Sequence, residues 1–316
     1  MSSEEVHGQQ ALCAVCDTHH GFVSDRATVP MTGVQLSRLS WKQSLGHKPT
    51  GDLAGIYRGY DVIGDIIVVK VPHSLEDRRR EIGRLLLEHN HKARLVLRVK
   101  GETTADARTR VLERIAGGGP TLTRHGEHGA IYVVDVAKVF FSPRLSHERW
   151  RVAQQVQPGE RIANMFAGAG CFSILIARHR TATVYSVDSN LDAVRCMRLG
   201  VASNRLAGRV LPILGDSERV SGSMSGMDRV ILPLPAKADR FLGIASHMLG
   251  RRGVIHHYRE CAGSRSDCVP RSLKELEDHL SRVEEEGHFD VVGSRVVRSV
   301  GPRRWHVAHD ILFRRA

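Results

Sequence analysis

Ala167-Gly168-Ala169-Gly170 stands between an apolar stretch ending at Phe166 and another opening at Cys171. Small residues at a strand-to-helix turn let backbone N–H groups and a helix N-terminus approach a ligand closely. Asp188, 24 residues beyond Asn164, closes the next strand-like stretch, where a carboxylate meets a ribose diol. Gly215-Asp216 closes a third, where a carboxylate can meet an adenine amino group. Taken singly, a glycine-rich turn is commonplace and either aspartate serves equally well as a helix cap. Three successive strand ends carrying Gly-x-Gly, Asp and Asp point instead to a nucleoside-containing cofactor. A dinucleotide site asks for G-x-G-x-x-G, with a third small residue against the helix. Here Phe172 and Ser173 follow Gly170-Cys171, which favours S-adenosylmethionine over NAD.

Such strand ends need a sheet that holds them side by side. The second half alternates strand-like and helical segments: strands over 161–166, 183–187, 210–214, 229–232 and 254–257, helices over 171–179, 191–204 and 236–248. Alternation of this kind predicts a parallel sheet with right-handed crossovers. A further helix over 272–286 and strands near 291–297 and 305–313 complete an α/β domain at 141–316. Ahead of it, the β-branched run 62–69, a helix from Ser74 to Asn90 and a strand over 95–99 predict a small α+β domain at 57–140. Residues 1–56 read as a tail or reduced appendage, polar at first and then rich in Gly and Pro.

The chain's 316 residues, 41% hydrophobic, are enough for two cores. No apolar run approaches the roughly 20 residues that span a bilayer, and MSSEEVHGQQ has no signal-peptide pattern. Six scattered cysteines suit reduced thiols. A cytoplasmic, monomeric protein with no membrane association is expected. The net charge of +12 favours a polyanion as partner, while 5% aromatics argue against stacking along a single strand. A folded RNA held by its phosphates, with one base entering a pocket, fits both numbers.

The run Lys138-Val139-Phe140-Phe141-Ser142-Pro143-Arg144-Leu145-Ser146-His147-Glu148-Arg149 resembles the K-V-Y-F-S-P-R-L-x-x-E-R signature of the archaeal and eukaryotic tRNA (guanine-37-N1) methyltransferases. Asn164 to Phe172 is similar to that family's D-M-F-A-G-V-G-P-F, Tyr60 to Ile66 to its domain-opening strand, and Val254 to Tyr258 to its V-I-H-Y-Y strand. The resemblance covers about residues 57–316 and implies a Rossmann-like class I S-adenosylmethionine-dependent methyltransferase domain behind the small domain. Its separate N-terminal domain is expected to be absent or reduced to residues 1–56.

The resemblance also implies roles. The partner is tRNA at its anticodon stem-loop, and guanosine 37 flips into the site, as bases must for such chemistry. Methylation of N1 needs a base for the N1 proton and positive charge at O6. Those roles fall to Glu148 and to Arg108, the position matching the family's F-R-x-R segment. The bland alternatives are an ion pair of Glu148 with Arg149 or Arg151 and a solvated Arg108. Cofactor contacts fall to Phe140, Arg149, Asn164, Phe166, Gly168, Gly170, Asp188, Asp216 and Pro235, and substrate contacts to Arg144 and Pro233. The sequence departs from the family at Phe140 (a tyrosine there), at Asn164 (an aspartate) and at Pro233, where N-L-P reads Pro233-Leu234-Pro235. Proline has neither an amide side chain nor a backbone N–H to hold a base. Relatives acting on wyosine intermediates, as methyltransferases or aminocarboxypropyl transferases, vary in this loop. They form the nearest rival reading, and a non-catalytic RNA chaperone that binds the cofactor forms another.

Weaker signals remain. Cys13 and Cys16 with His19 and His20 supply half of a zinc site, but second-half ligands at the usual spacing are missing, so no metal is expected. Cys261 and Cys268 read as free thiols. The run Asp77-Arg78-Arg79-Arg80-Glu81 suits either RNA phosphates or a solvated helix face.

Overall fold

The computed structural model describes residues 60–103, 110–283 and 287–315. The β-branched run expected as one strand is a hairpin, β1 (Tyr60–Ile63) pairing antiparallel with β2 (Ile66–Val69). The turn depends on Gly64: its φ is +57°, and a Cβ there would collide with Thr123 and the Arg124 carbonyl. A 3-10 turn over His73–Arg78 begins after Pro72, so Ser74 lies inside the turn and α1 (Arg79–Glu88) starts later than its sequence suggested. Then come β3 (Leu95–Thr103) and β4 (Arg110–Gly117), giving a four-stranded sheet in the order β1-β2-β3-β4. Ile82 and Leu86 of α1 bury against Ile67, Val96 and Ile115 of this sheet. Two arginines of the charged run beside them are paired within the protein: Arg78 with Glu81 at 2.8 Å and Arg79 with Glu113 of β4 at 3.5 Å.

A second hairpin, β5 (Leu122–Glu127) and β6 (Ala130–Asp135), carries no obvious sequence signal beyond its His128-Gly129 turn, both residues having positive φ. The signature run continues through a 3-10 turn at Pro143–Leu145 into α2 (Ser146–Gln155). The remaining elements alternate: β7 (Arg161–Asn164), α3 (Cys171–His179), β8 (Thr183–Asp188), α4 (Leu191–Ala202), β9 (Arg209–Leu214), α5 (Ser217–Ser221), β10 (Met227–Leu232), α6 (Leu242–Met248), β11 (Leu249–Ala262), α7 (Arg265–Leu280), β12 (His288–Gly301) and β13 (Arg304–Arg314). The α7 helix begins earlier than its apolar pattern suggested, because the Ser264 side chain caps it by accepting the Asp267 N–H.

Strands β7 to β13 form one sheet in the order β12-β13-β11-β10-β7-β8-β9. Five neighbours, β11-β10-β7-β8-β9, pair in parallel; β13 is antiparallel to both of its neighbours and alone runs against the rest. This is a Rossmann-like α/β sheet with a reversed strand inserted near one edge. The order turns back at β7, which lies between β10 and β8, and ligands of open α/β sheets bind at the carboxyl end of such a switch point. The apolar residues Ile162 and Val184 of the sheet and Ile174 and Leu175 of α3 bury one face of it, in one cluster with Ile66 and Leu95 of the small sheet, while Val230, Leu232 and Ile255 bury the other against Leu242 of α6 and Leu276 of α7. The β5–β6 hairpin is stitched to the end of α4 by Asn204, whose side chain both accepts from the Ile131 N–H (2.9 Å) and donates to the Ile131 carbonyl (2.7 Å). Among the described residues no helix is long and apolar enough to cross a membrane.

Candidate active site

A cavity of about 630 Å³ opens at the carboxyl ends of β7, β8, β9 and β10, a size within the roughly 300–1,000 Å³ of small-molecule sites. Gly168 lines it with φ +55°, and a Cβ added there would meet only the Phe140 carbonyl, at 3.8 Å. The turn thus presents bare backbone to the cavity. Gly170 does not line it; as the left-handed residue capping α3, it lets Met197 of α4 pack where a Cβ would sit.

Asp188 lines the cavity at the end of β8. Its carboxylate accepts the Gly168 N–H at 2.7 Å and the Asn190 N–H at 2.9 Å. Burial pushes its pKa above the ordinary carboxylate value, with those two N–H groups working the other way. Asp216 also lines the cavity and caps α5 through the Glu218 N–H at 2.7 Å. The two readings of the aspartates are therefore not exclusive: each is held by backbone N–H groups and each faces the cavity. Phe166, Phe140 and Pro233 complete the expected lining residues on the remaining walls.

Other expected contacts lie elsewhere. Asn164 is fully buried beneath the turn, donating to Ser173 at 3.0 Å, and does not reach the cavity. Pro235 is absent from the lining; its carbonyl accepts the Glu260 N–H at 3.3 Å, tying the loop to β11. Arg144 points back to the small sheet, 2.8 Å from Asp61. Arg149 does border the cavity, but its guanidinium is committed to Glu127 of β5 at 2.6 Å and to the Ser142 carbonyl at 3.2 Å. Burial alone would raise Glu127; the hydrogen bond from His125 and the charge of Arg149 hold it below its ordinary value instead. Arg149 is thereby a buried strut between the hairpin and the cavity wall.

Glu148 does not line the cavity either. It is 4% exposed and accepts hydrogen bonds from Arg151, from the Tyr258 hydroxyl at 2.9 Å and from Arg295 at 3.4 Å. The pairing foreseen with Arg149 or Arg151 is thus made with Arg151, since Arg149 turns to Glu127. Tyr258 packs on the cavity-lining Phe172, ring centroids 6.0 Å apart. Arg108, Cys13, Cys16, His19 and His20 lie outside the described residues.

Residues that the sequence did not single out sit at the mouth. Lys237, Arg240 and Glu218 line it, and Arg240 pairs with Glu218 at 3.1 Å. Lys237 and Arg240 lie at the start of the stretch 236–248 expected as one helix; there Lys237 precedes a 3-10 turn over Ala238–Phe241 that carries Arg240, and only Leu242–Met248 is α-helical. Cys171 lines the cavity, but burial pushes its thiol up to about 12, which keeps it protonated and unsuited to nucleophilic attack. Among the described residues no three potential metal ligands gather, and Cys171, Cys196, Cys261 and Cys268 are all buried free thiols.

The reversed strand within a parallel sheet, the glycine turn and the two acids at adjacent strand ends define a nucleoside-binding α/β protein of the methyltransferase class. Residues 123–285 match the TRM5/TYW2 methyltransferase domain and residues 42–121 the TYW2 N-terminal domain, and the chain belongs to the TRM5/TYW2 methyltransferase family. It is 36% identical over 256 residues to the tRNA (guanine(37)-N(1))-methyltransferase Trm5b of Pyrococcus abyssi, covering 79% of this chain and 73% of that one. It is 34% identical to the tRNA 4-demethylwyosine(37)-methyltransferase Taw21 of Saccharolobus solfataricus, covering 82% and 95%. Among solved structures, Trm5b from Pyrococcus abyssi superposes with a TM-score of 0.74 at 33% identity, over 85% of this chain and 79% of that one. Methanocaldococcus jannaschii Trm5 in complex with adenosine gives 0.68 at 32%, over 84% and 77%.

Proposed function

We propose that this chain transfers a methyl group from S-adenosylmethionine to N1 of guanosine 37, the nucleoside beside the anticodon in tRNA. The observation that carries the reading is the cavity at the switch point, with Gly168, Asp188 and Asp216 on adjacent strand ends, in a chain related to Trm5b. That a related Trm5 was solved in complex with adenosine supports a nucleoside as the kind of ligand. S-adenosylmethionine, when bound, supplies an electrophilic methyl group on a sulfonium. Asp188 is suited to the ribose diol, Asp216 to the adenine amino group, and the Gly168 backbone to close approach. Phe166 and Phe140 supply apolar walls. Proton removal from guanine N1 falls to Glu148, and stabilisation of the charge that grows on O6 falls to Arg108. The proposed partner is the anticodon stem-loop, met by a monomer in the cytoplasm.

The test is digestion and mass spectrometry of tRNA transcripts incubated with the protein and isotope-labelled donor. One label on N1 of guanosine 37 is the expected product; label on any other nucleoside overturns the assignment. Glu148→Gln should slow single-turnover transfer by roughly 10²–10⁴-fold, and Arg108→Ala by roughly 10²–10³-fold. A second reading, transfer to a wyosine intermediate at the same position, is favoured by Pro233 and by the match of residues 42–121 to a TYW2 N-terminal domain. It predicts product only on tRNA that already carries the intermediate. A chaperone that merely binds the donor would yield no product on either substrate.

A further inference from the structure

The donors around Glu148 are unequal. Oε1 accepts from Arg151 Nη2 at 2.8 Å and from the Tyr258 hydroxyl at 2.9 Å; Oε2 accepts from Arg151 Nε at 3.0 Å and from Arg295 Nε at 3.4 Å. Both arginines also bind Asp310, Arg151 at 2.8 Å and Arg295 at 2.7 Å, and Asp310 accepts from His256 at 2.6 Å. Two cations thus already balance the two carboxylates, as buried charges require. The phenol of Tyr258 is a further donor that adds no charge. It is 4% exposed, and the only hydrogen bond recorded for it among the described residues goes to Oε1.

Arg295 differs from the other donors. It makes the longest contact, its side chain is 28% exposed, and it lies on β12 between two irregularities in the pairing with β13, at 291–293 and 296–298. Of the two carboxylate oxygens, Oε2 is therefore the one with the weaker second donor: besides Arg151 at 3.0 Å it has, among the described residues, only the 3.4 Å contact to Arg295, whose other arm is held by Asp310.

We propose that Tyr258 is a positioning residue for proton transfer: with Arg151, whose guanidinium spans both oxygens, it fixes the orientation of the Glu148 carboxylate, and Oε2, whose second donor is the long Arg295 contact, takes the proton from guanine N1. The inference rests on the reading of Glu148 as the base. In the step, the N1–H bond breaks, its electron pair stays on N1, and an O–H bond forms at Oε2 in place of the 3.4 Å contact from Arg295, which stays paired with Asp310. No other reactant is consumed. Fixing one oxygen by short hydrogen bonds removes the carboxylate's freedom to turn, which is how positioning groups raise a rate without touching the substrate.

Tyr258→Phe keeps the ring against Phe172 and removes only the donor. Single-turnover transfer should fall roughly ten- to a hundredfold, the worth of a hydrogen bond to a charged group, while equilibrium affinities for donor and tRNA stay unchanged. Because the effect passes through Glu148, adding Tyr258→Phe to Glu148→Gln should cost nothing more. A Tyr258→Phe enzyme with wild-type rate, or a full extra loss in the double variant, overturns the inference and leaves the proposed function standing. Full activity of Glu148→Gln overturns the base assignment itself, and the inference with it. Should Tyr258→Phe lose donor affinity through misfolding, difluorotyrosine at position 258 keeps ring and hydroxyl but makes a stronger donor. The transfer rate must then move with phenol acidity at constant affinity, and an unmoved rate overturns the proposal.

Discussion

Asp188 carries two duties that a single substitution separates. Its carboxylate holds the Gly168 and Asn190 N–H groups and also faces the cavity. Asp188→Ala should weaken donor binding by about 1–3 kcal/mol, the cost of leaving polar partners unpaired. Asp188→Asn, which keeps one acceptor oxygen, should lie between it and the wild type. Calorimetric titration with the donor checks this, and equal affinity in all three proteins would remove Asp188 from the site. Pro233 tests the substrate side. It lines the cavity but brings no amide. If plain guanosine is the substrate, Pro233→Asn should leave single-turnover transfer to unmodified tRNA unchanged or faster. If a wyosine intermediate is the substrate, the same change should turn activity towards unmodified tRNA.

Two elements decide how well the site is held. The β5–β6 hairpin grips α2 through Glu127 and Arg149, whose side chains are 5% and 3% exposed. Glu127→Ala leaves a buried guanidinium unmatched and should cost about 3–5 kcal/mol, read as a lower urea midpoint; a change under 1 kcal/mol would mean that Arg149 finds another partner. The reversed strand β13 with β11 holds buried histidines. Burial, with the nearby cations of Arg259 and Arg295, lowers His309 from the ordinary 6.5 to about 3, and burial lowers His256 and His257 as well. Such imidazoles bind protons in the unfolded chain before they do in the folded one. Their stabilising effect is complete above about 6.5 and is lost progressively as pH falls towards 3. The urea midpoint should decline below about pH 6.5, and His309→Gln, which does not titrate, should flatten part of that slope. The alternating strands and helices of this half were legible because their apolar runs and Gly-x-Gly turn are local signals. The β5–β6 hairpin was not, since Thr123, His125 and Glu127 take their inward places only through Gly64, Asp65 and Arg149. Glu148 and Arg149 stood out as a pair in sequence, but one helix step turns them to different partners, and that divergence is a tertiary fact.

At the scale of the molecule, the excess of 12 positive charges is the footprint proposed for tRNA. The logarithm of tRNA affinity should fall linearly with the logarithm of salt concentration, with a slope set by the number of phosphates neutralised. Filter binding across a salt series checks it, and a flat line would assign the charge another purpose. Part of that excess is already spoken for by backbone: at the end of α3, Arg178 donates to the carbonyls of Gly129 and Arg205, and Arg180 to that of Val156. Their replacement by methionine should therefore lower stability more than it lowers the salt slope.

The position of β13 bears on how the protein comes into being. On the ribosome this strand emerges after every other described strand, yet it inserts between β11 and β12 rather than adding to an edge. Its Asp310 reaches back 159 residues to Arg151. Until it arrives, β11 has an open flank and the arginines around Glu148 lack their second carboxylate. A nascent chain stalled before residue 304 would therefore hold the glycine turn and both cavity-lining acids but only part of the charge cluster around Glu148, the base proposed above. Contacts as distant in sequence as that ion pair also make for slow folding. Refolding should recover donor binding earlier than methyl transfer, and the interval between the two would time the insertion of that strand.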